Sequence, residues 1–459
     1  MEAKDKVRGE SFCELASESE QVKKAEQPGK LALKYHPYYE GKIEVVSKVP
    51  VRTLDDFAIW YTPGVAEPCE EIMKNVELVF EYTNRGNLVA VVSDGTRVLG
   101  LGNIGPEAAL PVMEGKCLLF KYLGGVDAVP IVLRSRDADH FIEVVKSLEP
   151  SFGGINLEDI EKPKCFYILD KLRKEMNIPV WHDDQQGTAA VEVAALINAL
   201  KFTGRKMHQV KIALIGAGAA SQAIARIIFK AGVNPKNVIV VDSKGILHPD
   251  RTDVKDSDPY KWELCLITNG EGRSGGIREA LKGADVCIAT SRPGPGVIKK
   301  EWIKEMADNP IVFACANPVP EIWPWEAKEA GAKIVATGRS DFPNQVNNSL
   351  AFPGIFRGAL DVRAITITDE MCLAAAYELA KVAEDRGLRE DSILPTMDDW
   401  EVYPREAVAV ALKAIEQGVA RIKPSKDELM ERAFTMIKRA RSQVEVLMKS
   451  GHIKPVPEN

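Results

Sequence analysis

Short continuous apolar runs, each closed by a turn, alternate along most of this chain with longer segments whose apolar residues recur at helical spacing. The run Leu88 to Val92, for example, is closed by Ser93-Asp94-Gly95. Uninterrupted apolar runs of this length are typical of strands that are buried on both faces, as in parallel sheets covered by helices. The alternation therefore predicts an α/β fold with mostly parallel sheets.

Changes in this pattern along the chain predict four segments. Residues 1–30 are polar and charged, and we expect them to form an arm or an oligomer contact. An α/β domain for substrate and metal is predicted over residues 31–200, with its first strand over the alternating residues 41–51. A Rossmann-like, doubly wound parallel-sheet domain is expected over residues 201–365. The amphipathic pattern of residues 366–459 predicts a helical C-terminal segment.

A glycine-rich segment, Gly216-Ala217-Gly218-Ala219-Ala220-Ser221, follows an apolar run and begins a helical pattern. Its glycines permit a tight turn and a close approach of a pyrophosphate, to which the helix N-terminus offers free N–H groups. Asp242 ends the next strand and would accept ribose hydroxyls, whereas Ser243 and Lys244 could hold a 2′-phosphate. The pattern predicts a dinucleotide site and leaves NAD and NADP both open. The alternative is a β-α-β unit that binds no nucleotide.

Carboxylates follow two of the predicted strands. Glu158 and Asp159 end one strand, and Asp183 and Asp184 end another before a long apolar helix pattern. Because ligands bind at the carboxyl edge of a parallel sheet, we expect Glu158, Asp159 and Asp184 to converge there. Three oxygen ligands suit Mg²⁺ or Mn²⁺ better than zinc. Acids at strand ends also commonly face water, and aspartate before a helix often serves only as a cap.

Lys116 is placed by its spacing on the apolar stripe of a predicted helix, together with Ala109, Val112 and Phe120. Burial disfavours the ammonium form, so we expect the pKa of Lys116 to be lowered and the amine to act as a general base. The alternative is a lysine whose aliphatic stem crosses the edge of the core while its amine reaches water.

Several polar side chains in predicted loops could bind or protonate a substrate. Tyr61 lies on a turn at Pro63-Gly64 and is a possible proton donor, and Arg97 could hold a carboxylate through two hydrogen bonds. The amides after later strands are further candidates, namely Asn317, Asn347 and Asn348. Half-buried tyrosines and exposed loop residues are common without such roles, so each is a weak indication alone.

Composition narrows the class of protein without identifying it. The 459 residues carry a net charge of −6, which argues against a nucleic-acid surface. The charged start lacks the apolar stretch of a signal peptide, and no apolar run approaches the roughly 20 residues needed to cross a membrane. We therefore expect a cytoplasmic protein with no membrane contact. The scattered cysteines indicate neither a zinc site nor a disulfide framework.

Taken together, these motifs resemble the malic enzymes, in particular the shorter prokaryotic kind. The matching stretches include WYTPGVAEPC, VVSDGTRVLGLGNIGPEAALPVMEGK, NLEDI, WHDDQQGTAAV, IGAGAASQAIA, CANPVPEI and TGRSDFPNQVNN, in the same order. The resemblance implies oxidative decarboxylation of L-malate to pyruvate and CO₂ with reduction of NAD⁺ or NADP⁺. It also implies dependence on Mg²⁺ or Mn²⁺, decarboxylation of oxaloacetate, and a homodimer or higher homo-oligomer.

The resemblance also implies roles for individual residues. Tyr61 becomes the general acid and Lys116 the general base, with Asp183 beside that lysine. The implied metal ligands are Glu158, Asp159 and Asp184. The implied substrate-side residues are Arg97, Lys116, Asn317, Asn347 and Asn348. The expected cofactor-binding residues are Gly216, Gly218, Ala219, Ala220, Ser221, Asp242, Ser243, Lys244 and Asn317.

Two other functions compete with this interpretation. A nicotinamide-dependent dehydrogenase of another small acid or amino acid would use the same cleft, but simple hydride transfer does not need three metal-binding carboxylates. A nucleotide-sensing or assembly protein that keeps the fold without the chemistry would not need an acid, a base and a metal together.

Overall fold

A computed structural model describes residues 18–457 of the protein, with side chains from residue 27 onward. The first 17 residues of the predicted arm lie outside the described residues, and the rest of it belongs to a helix that continues past residue 30. The helices in the first half of the chain are α1 (Glu18–Tyr39), α2 (Asp56–Trp60), α3 (Ala66–Lys74), α4 (Val79–Tyr82), α5 (Pro106–Gly124), α6 (Ala138–Ser147), α7 (Lys164–Glu175) and α8 (Thr188–Phe202). The later helices are α9 (Ala219–Lys230), α10 (Pro259–Ile267), α11 (Ile277–Leu281), α12 (Lys300–Ile303), α13 (Pro324–Glu329), α14 (Phe352–Asp361), α15 (Asp369–Asp385), α16 (Val402–Glu416) and α17 (Lys426–Lys449).

Two parallel sheets organise these helices. The first sheet has the order β2-β1-β3-β4, with β1 (Leu88–Ser93), β2 (Asp127–Val132), β3 (Gly154–Leu157) and β4 (Val180–His182). The second has the order β10-β9-β8-β5-β6-β7, with β5 (Ile212–Ile215), β6 (Val238–Asp242), β7 (Gly245–Ile246), β8 (Val286–Ala289), β9 (Ile311–Ala314) and β10 (Ile334–Thr337). All strand pairs are parallel except β6 with β7. The predicted α/β class with a Rossmann-like sheet is confirmed.

Helix α8 joins the two sheets. Residues 189–200 of this helix are all buried, as expected for a helix whose residues are apolar on most sides, with Glu192 and Asn198 as its buried polar residues. The apolar cluster around it contains residues of both sheets, such as Val91 and Leu214. The chain therefore passes from the carboxylates after β4, through the centre of the core, to the glycine-rich segment after β5.

The C-terminal helices pack back on the first sheet. Arg357 of α14 donates hydrogen bonds to Asn87 Oδ1 (2.5 Å) and Asp361 Oδ1 (2.7 Å), all in buried positions. Phe120 of α5 packs against Phe352, with ring centroids 4.6 Å apart. Within the helical segment predicted over residues 366–459, α17 packs on the same helix α5, with the guanidinium of Arg441 4.3 Å from the ring centroid of Tyr122. No helix within residues 18–457 combines the length and apolarity needed to cross a membrane.

The strand predicted over residues 41–51 is absent, and that prediction is wrong. A strand needs a neighbouring strand to satisfy its backbone, and alternation of side chains does not supply one. Side chains fix this segment instead: Lys42 Nζ donates to Pro111 O at 2.9 Å, and Lys48 donates to Asn84. The apolar side chains that suggested a strand are exposed, and Val45 is 96% exposed.

Candidate active site

A cleft of about 1340 Å³ lies between the carboxyl ends of the two sheets. This is larger than the roughly 300–1,000 Å³ of ordinary small-molecule pockets, so it can hold a dinucleotide and a small substrate together. Its lining combines residues after the strands of both sheets: Arg97, Lys116, Glu158, Asp159, Asp184, Gly216, Gly218, Ala219, Ala220, Asp242, Ser243, Lys244, Asn317, Asn347 and Asn348.

Three carboxylates converge in this cleft because β3 and β4 are neighbours in register. Leu157 pairs with His182, so the residues that follow each strand leave the sheet side by side. Oxygen atoms of Glu158, Asp159 and Asp184 lie within 4.8 Å of one another. The backbone N–H of Asp159 donates to Asp184 Oδ2 at 2.8 Å, which fixes the two loops relative to each other.

The local chemistry of these carboxylates fits a divalent cation. Asp159 Oδ2 is buried without a hydrogen-bond partner. Burial, and then the neighbouring Asp184 carboxylate, raises the pKa of Asp159 to about 8. Burial also holds the pKa of Glu158 well above its usual range. Buried acids that repel one another are stabilised when a hard cation with oxygen preference lies between them, and Mg²⁺ and Mn²⁺ have that preference.

Lys116 lies beside the same carboxylates and is buried as its spacing predicts. Its Nζ is 2.5 Å from Asp183 Oδ2, 3.1 Å from Glu158 Oε1, and 4.4 Å from the ring centroid of Phe352. The expected lowering of its pKa is wrong. Burial alone would lower the pKa of Lys116, but the attraction of Asp183 and Glu158 outweighs burial, and the net shift raises it above its ordinary value. The neighbouring Asp183 and Glu158 carboxylates therefore favour the ammonium form of Lys116.

Asp183 reaches Lys116 from beneath the cleft and does not line it. It lies in a π-helical turn over Asp183–Gly187, the form that the Asp-Asp-Gln-Gln-Gly segment takes before α8. Trp181 Nε1 donates to Asp183 Oδ1 at 3.1 Å, so one oxygen is held by the indole and the other by the lysine. A methyl group at Gly187 would meet Asp183 Oδ1 at 2.0 Å, so only glycine leaves room for this carboxylate.

The glycine-rich segment forms the opposite wall of the cleft. Gly216 has φ +112°, and a Cβ there would lie 2.8 Å from Thr290 O, so both its conformation and its surroundings require glycine. Helix α9 begins after Gly218 without a side-chain cap, which leaves backbone N–H groups for an anion. Ser221, expected among the cofactor-binding residues, does not line the cleft; its hydroxyl is 2.6 Å from Thr290 Oγ1.

Cationic side chains surround Asp242 at the far end of the cleft. Arg251 donates to both of its oxygens, at 3.0 and 2.9 Å, and Lys261 Nζ is 3.3 Å away. Lys244 and His248 line the same end. Sequence reasoning missed Arg251, Lys261 and His248 as cleft residues. His248 and Arg251 lie in the connection after β7 and Lys261 lies on α10, and no local motif indicates the path of this part of the chain.

The substrate-side candidates lie partly in the cleft. Arg97 lines it and donates through its guanidinium to Leu99 O, and Asn347 donates to Gly338 O at 2.9 Å. Asn317 and Asn348 line it as well. Tyr61 does not: it follows α2, is 71% exposed and is not among the lining residues.

His182 is a buried residue that sequence reasoning also missed. It ends β4, and neither ring nitrogen has a hydrogen-bond partner. Its Nδ1 is 3.6 Å from Asp184 Oδ2, and burial lowers its pKa, which favours the neutral ring. Nothing in the surrounding Val-Trp-His-Asp-Asp sequence separates it from an ordinary core position.

Comparisons with known proteins agree with this geometry. Sequence models of the malic enzyme N-terminal domain and the malic enzyme NAD binding domain match residues 40–173 and 185–417. A bifunctional malic/malolactic enzyme of Bacillus subtilis is 51% identical over 401 residues, which are 87% of this chain and 96% of that protein. An NAD-dependent malic enzyme of Geobacillus stearothermophilus is 50% identical, over 83% of this chain and 78% of that protein.

Solved structures give the same result. The crystal structure of Entamoeba histolytica malic enzyme superimposes on this chain with a TM-score of 0.94 at 49% identity. The match covers 97% of this chain and 93% of that chain. The crystal structure of malic enzyme from Pyrococcus horikoshii superimposes with a TM-score of 0.87 at 53% identity. That match covers 91% of this chain and 98% of the other.

Proposed function

Because this chain belongs to the malic enzyme family, we propose that it oxidises L-malate and decarboxylates the product to pyruvate and CO₂, with reduction of NAD⁺ or NADP⁺. The observation that carries the proposal is the convergence of Glu158, Asp159 and Asp184 beside Lys116, in a cleft whose other wall is the glycine-rich segment. Hydride transfer alone would not require that convergence.

The two walls of the cleft would bind different molecules, the metal and substrate on one wall and the nucleotide on the other. A divalent cation held by Glu158, Asp159 and Asp184 would supply a Lewis acid for the C2 oxygen of malate, while the nicotinamide would accept the hydride. Arg97 lines the cleft and would bind a substrate carboxylate through two hydrogen bonds. We place the substrate and metal functions in residues 31–200 and the nucleotide in residues 201–365.

Lys116 would take up the proton of the C2 hydroxyl as the hydride leaves C2. Asp183 Oδ2 lies 2.5 Å from Lys116 Nζ, so it is the nearest group that could take a proton from the lysine before the lysine accepts one from the substrate. When CO₂ departs, the electron pair of the broken bond remains on C3. The resemblance gives Tyr61 as the proton donor to C3, which would release pyruvate; its phenol lies outside the cleft of the single chain, so this step requires Tyr61 to reach the cleft.

The proposal is tested with purified protein, L-malate, Mn²⁺ and either NAD⁺ or NADP⁺, following reduced cofactor and pyruvate together. Equal amounts of both products are expected. Cofactor reduction without pyruvate would assign the protein to the non-decarboxylating dehydrogenases. Oxaloacetate supplied with Mn²⁺ should also yield pyruvate. The homo-oligomer and the cytoplasmic location expected from the sequence stay predictions.

A further inference from the structure

One lysine from the metal side of the cleft reaches across to the glycine-rich segment. Lys162 lies in the short connection between β3 and α7, three residues after the carboxylate Asp159, and it lines the cleft. Its Nζ donates a hydrogen bond to Ala217 O at 3.0 Å. Ala217 directly precedes Gly218, the residue at which α9 begins. The two walls of the cleft are therefore joined next to the N-terminus of α9.

Lys162 differs from most other cations of the cleft, because it forms no ion pair. Four of the lining lysine and arginine residues already pair with carboxylates, namely Lys116, Lys244, Arg251 and Lys261. Among the described residues, Lys162, Arg97 and Arg292 line the cleft without such a pair. Of these three, Lys162 is the one that is hydrogen-bonded to the glycine-rich segment.

The glycine-rich segment needs a cation from elsewhere if it is to bind a diphosphate. Residues 216–221 contain no basic side chain, and α9 offers only the partial positive charge of its uncapped N–H groups. The Lys162 ammonium has three N–H donors, and the bond to Ala217 O uses one of them. Two donors therefore remain for phosphate oxygens at this point of the cleft.

The electrostatic surroundings of Lys162 also favour an anion. Partial removal of the amine from water, and then the nearby charge of Lys261, lower the pKa of Lys162 from its ordinary value. Both effects disfavour the ammonium form while the cleft holds no anion. A phosphate beside Lys162 would offset both, because it supplies negative charge and hydrogen-bond acceptors together.

The connection that carries Lys162 is the one that carries two of the metal-binding carboxylates. Glu158 and Asp159 begin it, and the N–H of Asp159 donates to Asp184 Oδ2 at 2.8 Å. Further along, the N–H of Glu161 donates to Thr96 Oγ1 at 3.0 Å. A ligand that holds Lys162 would therefore fix the far end of the same five-residue stretch and restrict the movement of its carboxylates.

We propose that Lys162 binds the diphosphate of the dinucleotide from the metal side of the cleft and thereby couples cofactor binding to metal binding. The inference rests on the proposed function, since it takes the cleft to bind a dinucleotide and a divalent cation together. Coupling of this kind is reciprocal, so each ligand should tighten the binding of the other by the same factor.

Calorimetry with ADP-ribose tests the first part without turnover, because this ligand has the diphosphate and lacks the nicotinamide. Lys162→Met keeps the aliphatic stem and removes the charge, so ADP-ribose should bind at least about tenfold more weakly. Adenosine, which has no phosphate, should bind to both proteins equally, and Lys162→Arg should retain most of the ADP-ribose affinity. Lys174→Met removes the same charge from an exposed position of α7 and should change neither affinity.

Two outcomes of this titration would overturn the inference. Equal ADP-ribose affinity in the wild-type protein and Lys162→Met would show that the lysine does not contact the diphosphate. An equal loss of adenosine and ADP-ribose affinity would show that the lysine only supports the wall of the cleft.

Electron paramagnetic resonance of free Mn²⁺ tests the coupling. Saturating ADP-ribose should lower the Kd of the wild-type protein for Mn²⁺ by about fivefold or more, after correction for Mn²⁺ bound by ADP-ribose alone. Lys162→Met should bind Mn²⁺ like the wild-type protein when ADP-ribose is absent and should show no such change when it is present. A wild-type Kd for Mn²⁺ that does not respond to ADP-ribose would overturn the coupling.

These measurements also separate failure of the inference from failure of the proposed function. Normal malate turnover, with a Lys162→Met variant that binds ADP-ribose like the wild-type protein, would overturn the inference alone. A wild-type protein that shows both expected binding effects but forms no pyruvate from L-malate would overturn the proposed function and support the role of Lys162.

Discussion

Lys116→Ala is expected to lower kcat for malate oxidation on the order of a thousandfold, because the substitution removes the group that takes up the hydroxyl proton. Cofactor affinity should change little, since the glycine-rich segment lies on the opposite wall of the cleft. The measurements are single-turnover reduction of the cofactor and, separately, cofactor binding followed by protein fluorescence. A parallel loss of cofactor affinity and turnover would show that the lysine supports the structure of the cleft and is not its base.

Two further substitutions serve as controls: Lys121→Ala on the same helix and Lys116→Gln at the same position. Lys121 also lies on α5, but it is 35% exposed and pairs with Asp127 outside the cleft, so Lys121→Ala should retain nearly full activity. Removing Lys116 leaves the Asp183 and Glu158 carboxylates buried and unpaired, which destabilises the fold. Lys116→Gln keeps hydrogen-bond donors beside both carboxylates. It should unfold at a higher temperature than Lys116→Ala while remaining equally inactive.

Lys116 also shows how far the sequence could be interpreted. Helical spacing placed it correctly on a buried stripe, because the periodicity of a helix is local. The direction of its pKa shift depends on Asp183 and Glu158, which are 67 and 42 residues away in sequence and reach it only through the pairing of β3 with β4. The local sequence pattern predicts that Lys116 is buried, whereas the charges around it depend on tertiary contacts.

The same distinction explains the remaining successes and failures. The sheets and the convergence of the three carboxylates were predictable, because buried parallel strands and their carboxyl edge follow general rules. The segment of residues 41–51 alternates like a strand, yet its apolar side chains are exposed. Alternation of apolar and polar residues alone does not show whether a core covers the apolar side chains. Tyr61 lies in the same region, and its exposure could not be predicted either.

Asp184→Asn is expected to weaken Mn²⁺ binding by about a hundredfold or more, because it removes one of three anionic ligands while keeping the shape of the side chain. Electron paramagnetic resonance of free Mn²⁺ measures the affinity directly. The amide oxygen can still accept the Asp159 N–H that Asp184 Oδ2 accepts at 2.8 Å, so the loops should keep their relative positions. Glu161→Gln, an exposed acid two residues after Asp159, removes the same charge nearby and should leave Mn²⁺ affinity unchanged.

The decarboxylation of oxaloacetate makes this substitution diagnostic. That half-reaction involves no hydride transfer, so its rate reports on the Lewis acid and the proton donor without the redox step. If the three carboxylates hold the catalytic cation, Asp184→Asn should lower oxaloacetate decarboxylation in proportion to Mn²⁺ occupancy, and higher Mn²⁺ should restore part of the rate. Undiminished decarboxylation at low Mn²⁺ would contradict the assignment, because the electron pair released at C3 would then be stabilised without the ion that Glu158, Asp159 and Asp184 are positioned to bind.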